Sequence, residues 1–115
     1  MSACAIARPR EITPHPEIAE CIERTAATFE PFGGRFPVHS TRHEVLEGDR
    51  PGGVVVTGLP GTAEARARWD SPAYQEIAPP RSRHIVGDII LVAGVPEGYD
   101  PGVTAAVVRA SVPAG

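Results

Sequence analysis

Residues 54–59 read Val-Val-Val-Thr-Gly-Leu, which is the strongest strand pattern in the chain. Residues 35–46 also favour a strand, because Val, Phe and Thr are frequent there. The segment between them, residues 47–53, reads Glu-Gly-Asp-Arg-Pro-Gly-Gly and is typical of a turn. Two strands joined by such a turn predict an antiparallel hairpin.

A first helix is predicted before this hairpin. Residues 13–17, Thr-Pro-His-Pro-Glu, are typical of a helix start, since a hydroxyl can cap free N–H groups and proline needs no donor there. Apolar residues then recur every three or four positions, which places on one helix face Ile18, Ile22, Ala26 and Phe29. Gly33 and Gly34 predict the end of the helix, because glycine readily adopts the left-handed conformation.

A second helix is predicted after the hairpin. Thr62 can cap its start, and Ser71-Pro72 is typical of a helix that restarts. The apolar residues of both segments are Ala65, Trp69, Tyr74, Ile77 and Ala78. Pro79-Pro80 predicts the end, because proline lacks the donor that a helix interior requires.

The outer strands complete the pattern. Residues 3–7 form a short apolar run that predicts a first strand, and residues 85–95 predict a last one with Asp88 in a turn or bulge near Gly87. The order is therefore β-α-β-β-α-β. This order predicts an α+β, ferredoxin-like domain, a four-stranded antiparallel sheet with two helices on one face.

Both helices on one face leave the opposite face of the sheet bare. That face is predicted to be too apolar for water, because its strands contain Val54, Val56, Ile90 and Val92. A second copy is the simplest cover, so we predict a homodimer. We assign residues 1–95 to the domain and residues 96–115 to a C-terminal loop and tail.

Composition argues against several classes of protein. The net charge is −3, and the 11 basic residues, all arginine, are dispersed, so no nucleic-acid partner is predicted. No apolar run is long enough for a membrane span, no secretory leader is recognisable, and a cytoplasmic location is expected. Two cysteines without metal-ligand spacing predict neither a disulfide framework nor a metal site. No phosphate-binding loop is present, so we predict no cofactor.

Three short motifs carry a resemblance to a known family. They are residues 33–36, Gly-Gly-Arg-Phe, residues 44–49, Glu-Val-Leu-Glu-Gly-Asp, and residues 70–75, Asp-Ser-Pro-Ala-Tyr-Gln. In this order and spacing they resemble the bacterial family called domain of unknown function 1330, over roughly residues 3–95. The resemblance implies a dimeric α/β barrel, in which two sheets pack face to face around a pocket. The same superfold includes cofactor-free monooxygenases, polyketide cyclases and lactone isomerases.

Histidines are the candidate catalytic residues. His39 and His43 lie four apart on the predicted strand of residues 35–46, so strict alternation would place them on one face with Arg35 and Thr41. Imidazoles can move protons near neutral pH. The alternative is that this face is exposed to solvent or that a bulge near residues 40–41 breaks the alternation. His84, at the entry to the last strand, is another candidate base.

Candidate substrate-binding residues lie nearby. Arg35 and Arg42 can each hold a carboxylate or enolate oxygen by forked hydrogen bonds, although surface ion pairs are the common alternative. Trp69, Asp70 and Tyr74 cluster at the break in the second helix. There the alternative is that the aromatic residues belong to the core or to the dimer interface and that Asp70 caps the helix.

We therefore expect a dimeric protein that binds a small molecule. The predicted activity is that of a cofactor-independent enzyme, which acts by acid-base chemistry such as isomerisation or cyclisation on a carbonyl or polyketide-like metabolite. The alternative is a metabolite-binding or accessory protein without catalysis.

Overall fold

The order of strands and helices along the chain agrees with the sequence prediction. The computed structural model describes residues 2–50 and 52–113. Its strands are β1 Ala3–Ile12, β2 Arg35–His39, β3 Val55–Leu59 and β4 Ile85–Ala93. Its α-helices are α1 Pro16–Phe29, α2 Thr62–Asp70, α3 Pro72–Ser82 and α4 Pro101–Ala110. The sheet order is β2-β3-β1-β4 with every neighbouring pair antiparallel, so the predicted ferredoxin-like fold is confirmed.

One face of the sheet is covered by helices. Antiparallel register places Ala5 opposite both Thr57 and Leu91, so these residues share a face. The buried positions of this face include Ala3 and Leu59, which pack with Ala65 of α2. A second buried cluster joins α1 to α3 and contains Cys21, Tyr74, Ile77 and Ala78. The core therefore lies between the sheet and the helix layer.

The opposite sheet face is open. The same register places Ile6 opposite Val56 and Ile90, so all three lie on this face. Ile90 is 48% exposed and Val92, two residues along β4, is 39% exposed. We call this surface the open face.

The predicted strand over residues 35–46 is shorter in the structure. β2 ends at His39, where Ser40 has a φ of 50° and turns the chain. The Ser40 N–H donates to the carbonyl of Val54 at 3.0 Å, so the connection starts here and not at residue 47. The long, polar loop that follows contains His43.

The structure corrects two further predictions. Pro79 and Pro80 lie inside α3, which continues to Ser82. Proline removes only its own N–H, and the carbonyl of Pro79 still accepts from Arg83 at 3.2 Å. The bulge expected near Gly87 is there, but its extra residue belongs to β1, where the register shifts between Pro9 and Glu11, and Asp88 stays paired with Arg8.

The predicted loop and tail of residues 96–115 contains a helix. Pro101 begins α4, and the Asp100 carboxylate accepts from the N–H of Gly102 at 2.9 Å as an N-cap. Proline after an aspartate is thus a helix-start signal that the sequence analysis missed. The whole of α4 is exposed. Among residues 2–50 and 52–113, no helix is long and apolar enough to cross a bilayer.

Candidate functional site

A cavity of about 360 Å³ lies between the sheet and the helix layer. Its sheet wall is formed largely by Ala7, Val55 and Ile89, and its helix wall by α1 and the end of α3. The lining is mostly apolar and includes Ile18, Ile22, Phe36 and Trp69. The cavity therefore lies on the helix-covered side of the sheet and not on the open face, where the resemblance implied a pocket between two facing sheets.

His39 is the only imidazole of the described residues that lines this cavity. It is opposite Val55 in the register, which places both on the helix-covered side. Its ring packs against Phe36 with 4.6 Å between centroids, and Phe36 packs edge-on against Phe29 at 4.8 Å. Aromatic packing thus holds the half-buried imidazole at the cavity wall.

Two guanidinium groups meet on Tyr74 beside the same cavity. Arg81 lines the cavity and donates from Nη1 to the Tyr74 hydroxyl at 3.1 Å. The guanidinium carbon of Arg68 lies 3.8 Å from the centroid of the Tyr74 ring. Arg68 also donates to the hydroxyls of Thr28 and Thr25, at 3.2 and 3.1 Å. Burial is the main cause that lowers the pKa of Arg68.

Cys21 is the thiol at the helix wall of the cavity. It is 5% exposed, and burial raises its pKa although three arginines oppose the shift. A thiol with a raised pKa stays protonated at neutral pH and is a poor nucleophile. Cys21 therefore acts as a small apolar wall residue and not as a reactive centre.

The family that the motifs indicated is shown by sequence comparison. The family called domain of unknown function 1330 matches residues 2–95. The chain belongs to this family. No functionally curated protein is significantly similar to it in sequence.

Solved structures of similar fold place this member of the domain of unknown function 1330 family among ferredoxin-like proteins. A protein of unknown function from Rhodopseudomonas palustris is 17% identical, with 83% of this chain and 82% of that chain covered and a TM-score of 0.60. A dimeric ferredoxin-like protein of unknown function from Jannaschia sp. CCS1 is 11% identical, with 84% and 100% covered and a TM-score of 0.63. SnoaB, a cofactor-independent oxygenase from Streptomyces nogalater, is 18% identical, with 86% and 98% covered and a TM-score of 0.57.

The predicted catalytic histidines of this family member lie in three different places. His39 lines the cavity, whereas His43 lies in the exposed loop after β2, at a separate surface depression. His84 Nε2 lies 2.8 Å from Glu17 Oε1, and its ring stacks on His15 with 3.8 Å between centroids. The structure brings only His39 to the cavity, and the catalytic roles stay predictions.

The predicted substrate-binding residues are also separated. Trp69 lines the cavity. Tyr74 does not line it, but its hydroxyl accepts a hydrogen bond from Arg81, which does. Arg35 is opposite Gly58 on the open face, so it does not share a face with His39. The register shift between Arg35 and Val38 breaks the alternation, whereas the alternative interpretation expected a bulge near residues 40–41. The remaining two candidates are exposed, Arg42 in the loop and Asp70, which pairs with Arg66 at 3.0 Å.

The sequence analysis missed Arg81, which lines the cavity, and Arg68, which stacks on Tyr74 beside it. Tyr74 and Arg81 are seven residues apart, which is two helical turns and therefore one face. That signal was available only if the helix continued through Pro79-Pro80. Arg68 gave no signal, because an arginine in a short helix reads as a solvent-exposed residue.

One group of side chains in this family member has the composition of a metal site. The ligand atoms of His15, Glu17 and His84 lie within 4.8 Å of one another. The two rings stack 3.8 Å apart with planes 10° apart, so their nitrogen lone pairs lie in two nearly parallel planes and do not converge on one ion. Arg83 donates to Glu17 at 3.1 Å and opposes a cation. The three side chains are therefore better described as a contact that joins the start of α1 to the start of β4 than as a metal centre.

Proposed function

We propose that this chain binds a small, mainly apolar carbonyl metabolite in the cavity and acts on it by proton transfer without a cofactor. The observation that supports this most is a mostly apolar cavity with one imidazole, His39, and one guanidinium, Arg81, in its wall. Its volume of about 360 Å³ lies in the range of small-molecule sites.

The proposed chemistry follows from these two groups. An imidazole can take a proton from the carbon beside a carbonyl, since its unperturbed pKa lies close to neutral pH. The electron pair moves to the carbonyl oxygen and forms an enolate. A guanidinium N–H directed at that oxygen stabilises the negative charge in an environment with little water. Return of the proton to a different atom is isomerisation, and attack of the enolate on a second carbonyl is cyclisation.

The fold comparison supports the absence of a cofactor in this proposal. SnoaB has the same fold and is a cofactor-independent oxygenase. A ferredoxin-like fold is therefore compatible with catalysis that uses no cofactor. We propose no oxygenase activity for this chain.

We further propose that residues 1–95 form the functional domain and that two copies pair through their open faces as a dimeric α/β barrel. The exposed Ile90 and Val92 favour this pairing, because apolar side chains in a contiguous patch gain by leaving water. The Jannaschia protein of similar fold is dimeric.

The test of catalysis uses α-tetralone, a bicyclic aryl ketone with exchangeable protons beside its carbonyl. In deuterated buffer we expect the protein to accelerate exchange at that carbon, as measured by proton NMR. His39→Gln should slow the catalysed exchange about 100-fold or more, because the base is lost.

His43→Gln is the matched control, because this imidazole lies in the exposed loop outside the cavity. It should leave the exchange rate unchanged. Equal rates for the wild type and His39→Gln would refute His39 as the base. Saturable binding of α-tetralone without any exchange would favour the alternative, a metabolite-binding protein without catalysis.

A further inference from the structure

The charges beside the cavity narrow the class of ligand. We infer that the ligand is an apolar ring system that carries a carboxylate. This carboxylate binds at Arg81, next to the Tyr74 ring on which Arg68 stacks. The inference rests on the cavity being the ligand site, as proposed above, but it is independent of His39 and of catalysis.

Among residues 2–50 and 52–113, neither Arg68 nor Arg81 makes an ion pair with a carboxylate. The acidic side chain among the lining residues, Asp88, is occupied by Arg8 and Arg10 at 3.1 and 3.3 Å. Two positive charges therefore lie beside the cavity without a negative partner.

Arg68 is 5% exposed, and its partners are two threonine hydroxyls and the faces of Tyr74 and Phe29, all neutral groups. A buried arginine usually has a carboxylate partner, because desolvation of an unpaired charge is costly. Arg81 contacts the same tyrosine at its hydroxyl. The positive charges of Arg68 and Arg81 therefore also repel each other.

Two hydrogen bonds orient Arg81 at the cavity wall. Its Nη1 donates to Tyr74 at 3.1 Å and its Nη2 to Ser82 at 3.2 Å, and both Arg81 and Ser82 line the cavity. A guanidinium has five N–H donors, so others are left for a ligand. A planar guanidinium matches a carboxylate by two parallel hydrogen bonds, and the low dielectric of an apolar cavity strengthens them.

The rest of the lining sets the body of the ligand. Ile18, Ile22 and Trp69 offer apolar and aromatic surface but no charge. An inorganic anion would leave this surface in contact with water. The rings of an aromatic or polycyclic acid would pack on the apolar wall, and its carboxylate would neutralise the charge of Arg81 and Arg68.

The test compares two probes of the same shape, 1-naphthoate and the neutral 1-naphthamide, by isothermal titration calorimetry. The wild type should bind the naphthoate at least tenfold more tightly than the amide. In Arg81→Gln this preference should disappear while the affinity for the amide stays within about threefold. Tyr74→Phe should reduce the preference by a smaller factor, because Arg81 loses the hydroxyl that orients it.

Arg109→Gln is the matched control, because Arg109 also makes no ion pair among the described residues but lies on the exposed α4, outside the cavity lining. It should leave both affinities unchanged. Thermal unfolding of each variant checks that it is folded. If Arg81→Gln does not fold, the smaller preference expected for Tyr74→Phe is the test. Equal binding of both probes by the wild type would overturn the anionic ligand and leave the cavity proposal standing. No binding of either probe would overturn both.

Discussion

Gly33 and Gly34 follow the first helical segment and are glycines for different reasons. Gly33 has a φ of 77°, the left-handed conformation that the sequence analysis predicted for a helix end. Gly34 has no such φ, but a Cβ at this position would lie 2.7 Å from the Cβ of Phe29. Phe29 is 4% exposed and packs against the Phe36 ring that supports His39. Gly34 thus allows the close approach that positions the cavity wall.

Gly34→Ala should therefore destabilise the protein by about 1–3 kcal/mol, the usual cost of overpacking a core. Chemical denaturation with urea measures this as a lower midpoint. Gly53→Ala is the control, because a Cβ there meets nothing within 4 Å, and its effect should stay within about 0.5 kcal/mol. An unchanged midpoint in Gly34→Ala would mean that the chain relaxes away from Phe29.

At the scale of single residues, the sequence predicted the cavity only in part. His39 and Trp69 were named because their side chains are chemically distinctive. Arg81 was not, because its position depends on a helix that passes through two prolines. His39 and Arg35 were placed on one face, because a sequence does not show the register shift that separates them.

The joint between α1 and β4 depends on three side chains. His15 Nδ1 accepts from the N–H of Glu17 at 3.1 Å and caps α1, where a serine or threonine is more usual. Glu17 in turn lies against His84 and Arg83, just before β4 begins. The hydrogen bond with His84 is the main cause that lowers the pKa of Glu17 below 4.5, and Arg83 adds to it.

A carboxylate with a lowered folded-state pKa stabilises the protein above its unfolded pKa and loses that effect as pH falls through the folded value. The free energy of unfolding should therefore decline between about pH 5 and pH 3, and Glu17→Gln should decline less steeply. Urea denaturation at a series of pH values measures both slopes. Glu20→Gln, on an exposed part of the same helix, should keep the wild-type slope. Parallel curves for Glu17→Gln and the wild type would contradict this account.

Among whole elements, the sequence predicted the types and the order well and the ends poorly. The strand of residues 54–59 was clear, because continuous β-branched residues predict a buried strand. β2 was predicted too long, since nothing in the residue types of 40–46 shows that Ser40 turns the chain. α4 was not predicted at all. Its many small residues are typical of a tail, although Asp100 and Pro101 are helix-start residues.

For the whole molecule, the sheet has one face with helices and one without. Both the sequence and the structure place apolar residues on the open face, and the proposed second copy would cover them. The cavity lies on the other side of the sheet, between the strands and the helix layer, so a copy that covers the open face leaves this side uncovered. Pairing and ligand binding are therefore separable properties.

Ile90→Arg tests the pairing, because it adds a charge to the open face, on the edge strand β4, without disturbing a buried residue. The wild type should have the molar mass of a dimer by light scattering, and Ile90→Arg that of a monomer. Val103→Arg, on α4, is the control and should remain dimeric. A dimeric Ile90→Arg would exclude the open face as the interface, and a monomeric Val103→Arg would assign it to α4.

The exposed α4 lengthens the molecule, whose dimensions are 56 × 33 × 23 Å and whose radius of gyration is 17.0 Å. A rounded domain of this length would have a radius of gyration of about 13 Å. Such an elongated particle has a larger friction coefficient than a sphere of the same mass. A single copy would therefore leave a gel-filtration column early and imitate a heavier species, whereas scattered light reports mass irrespective of shape.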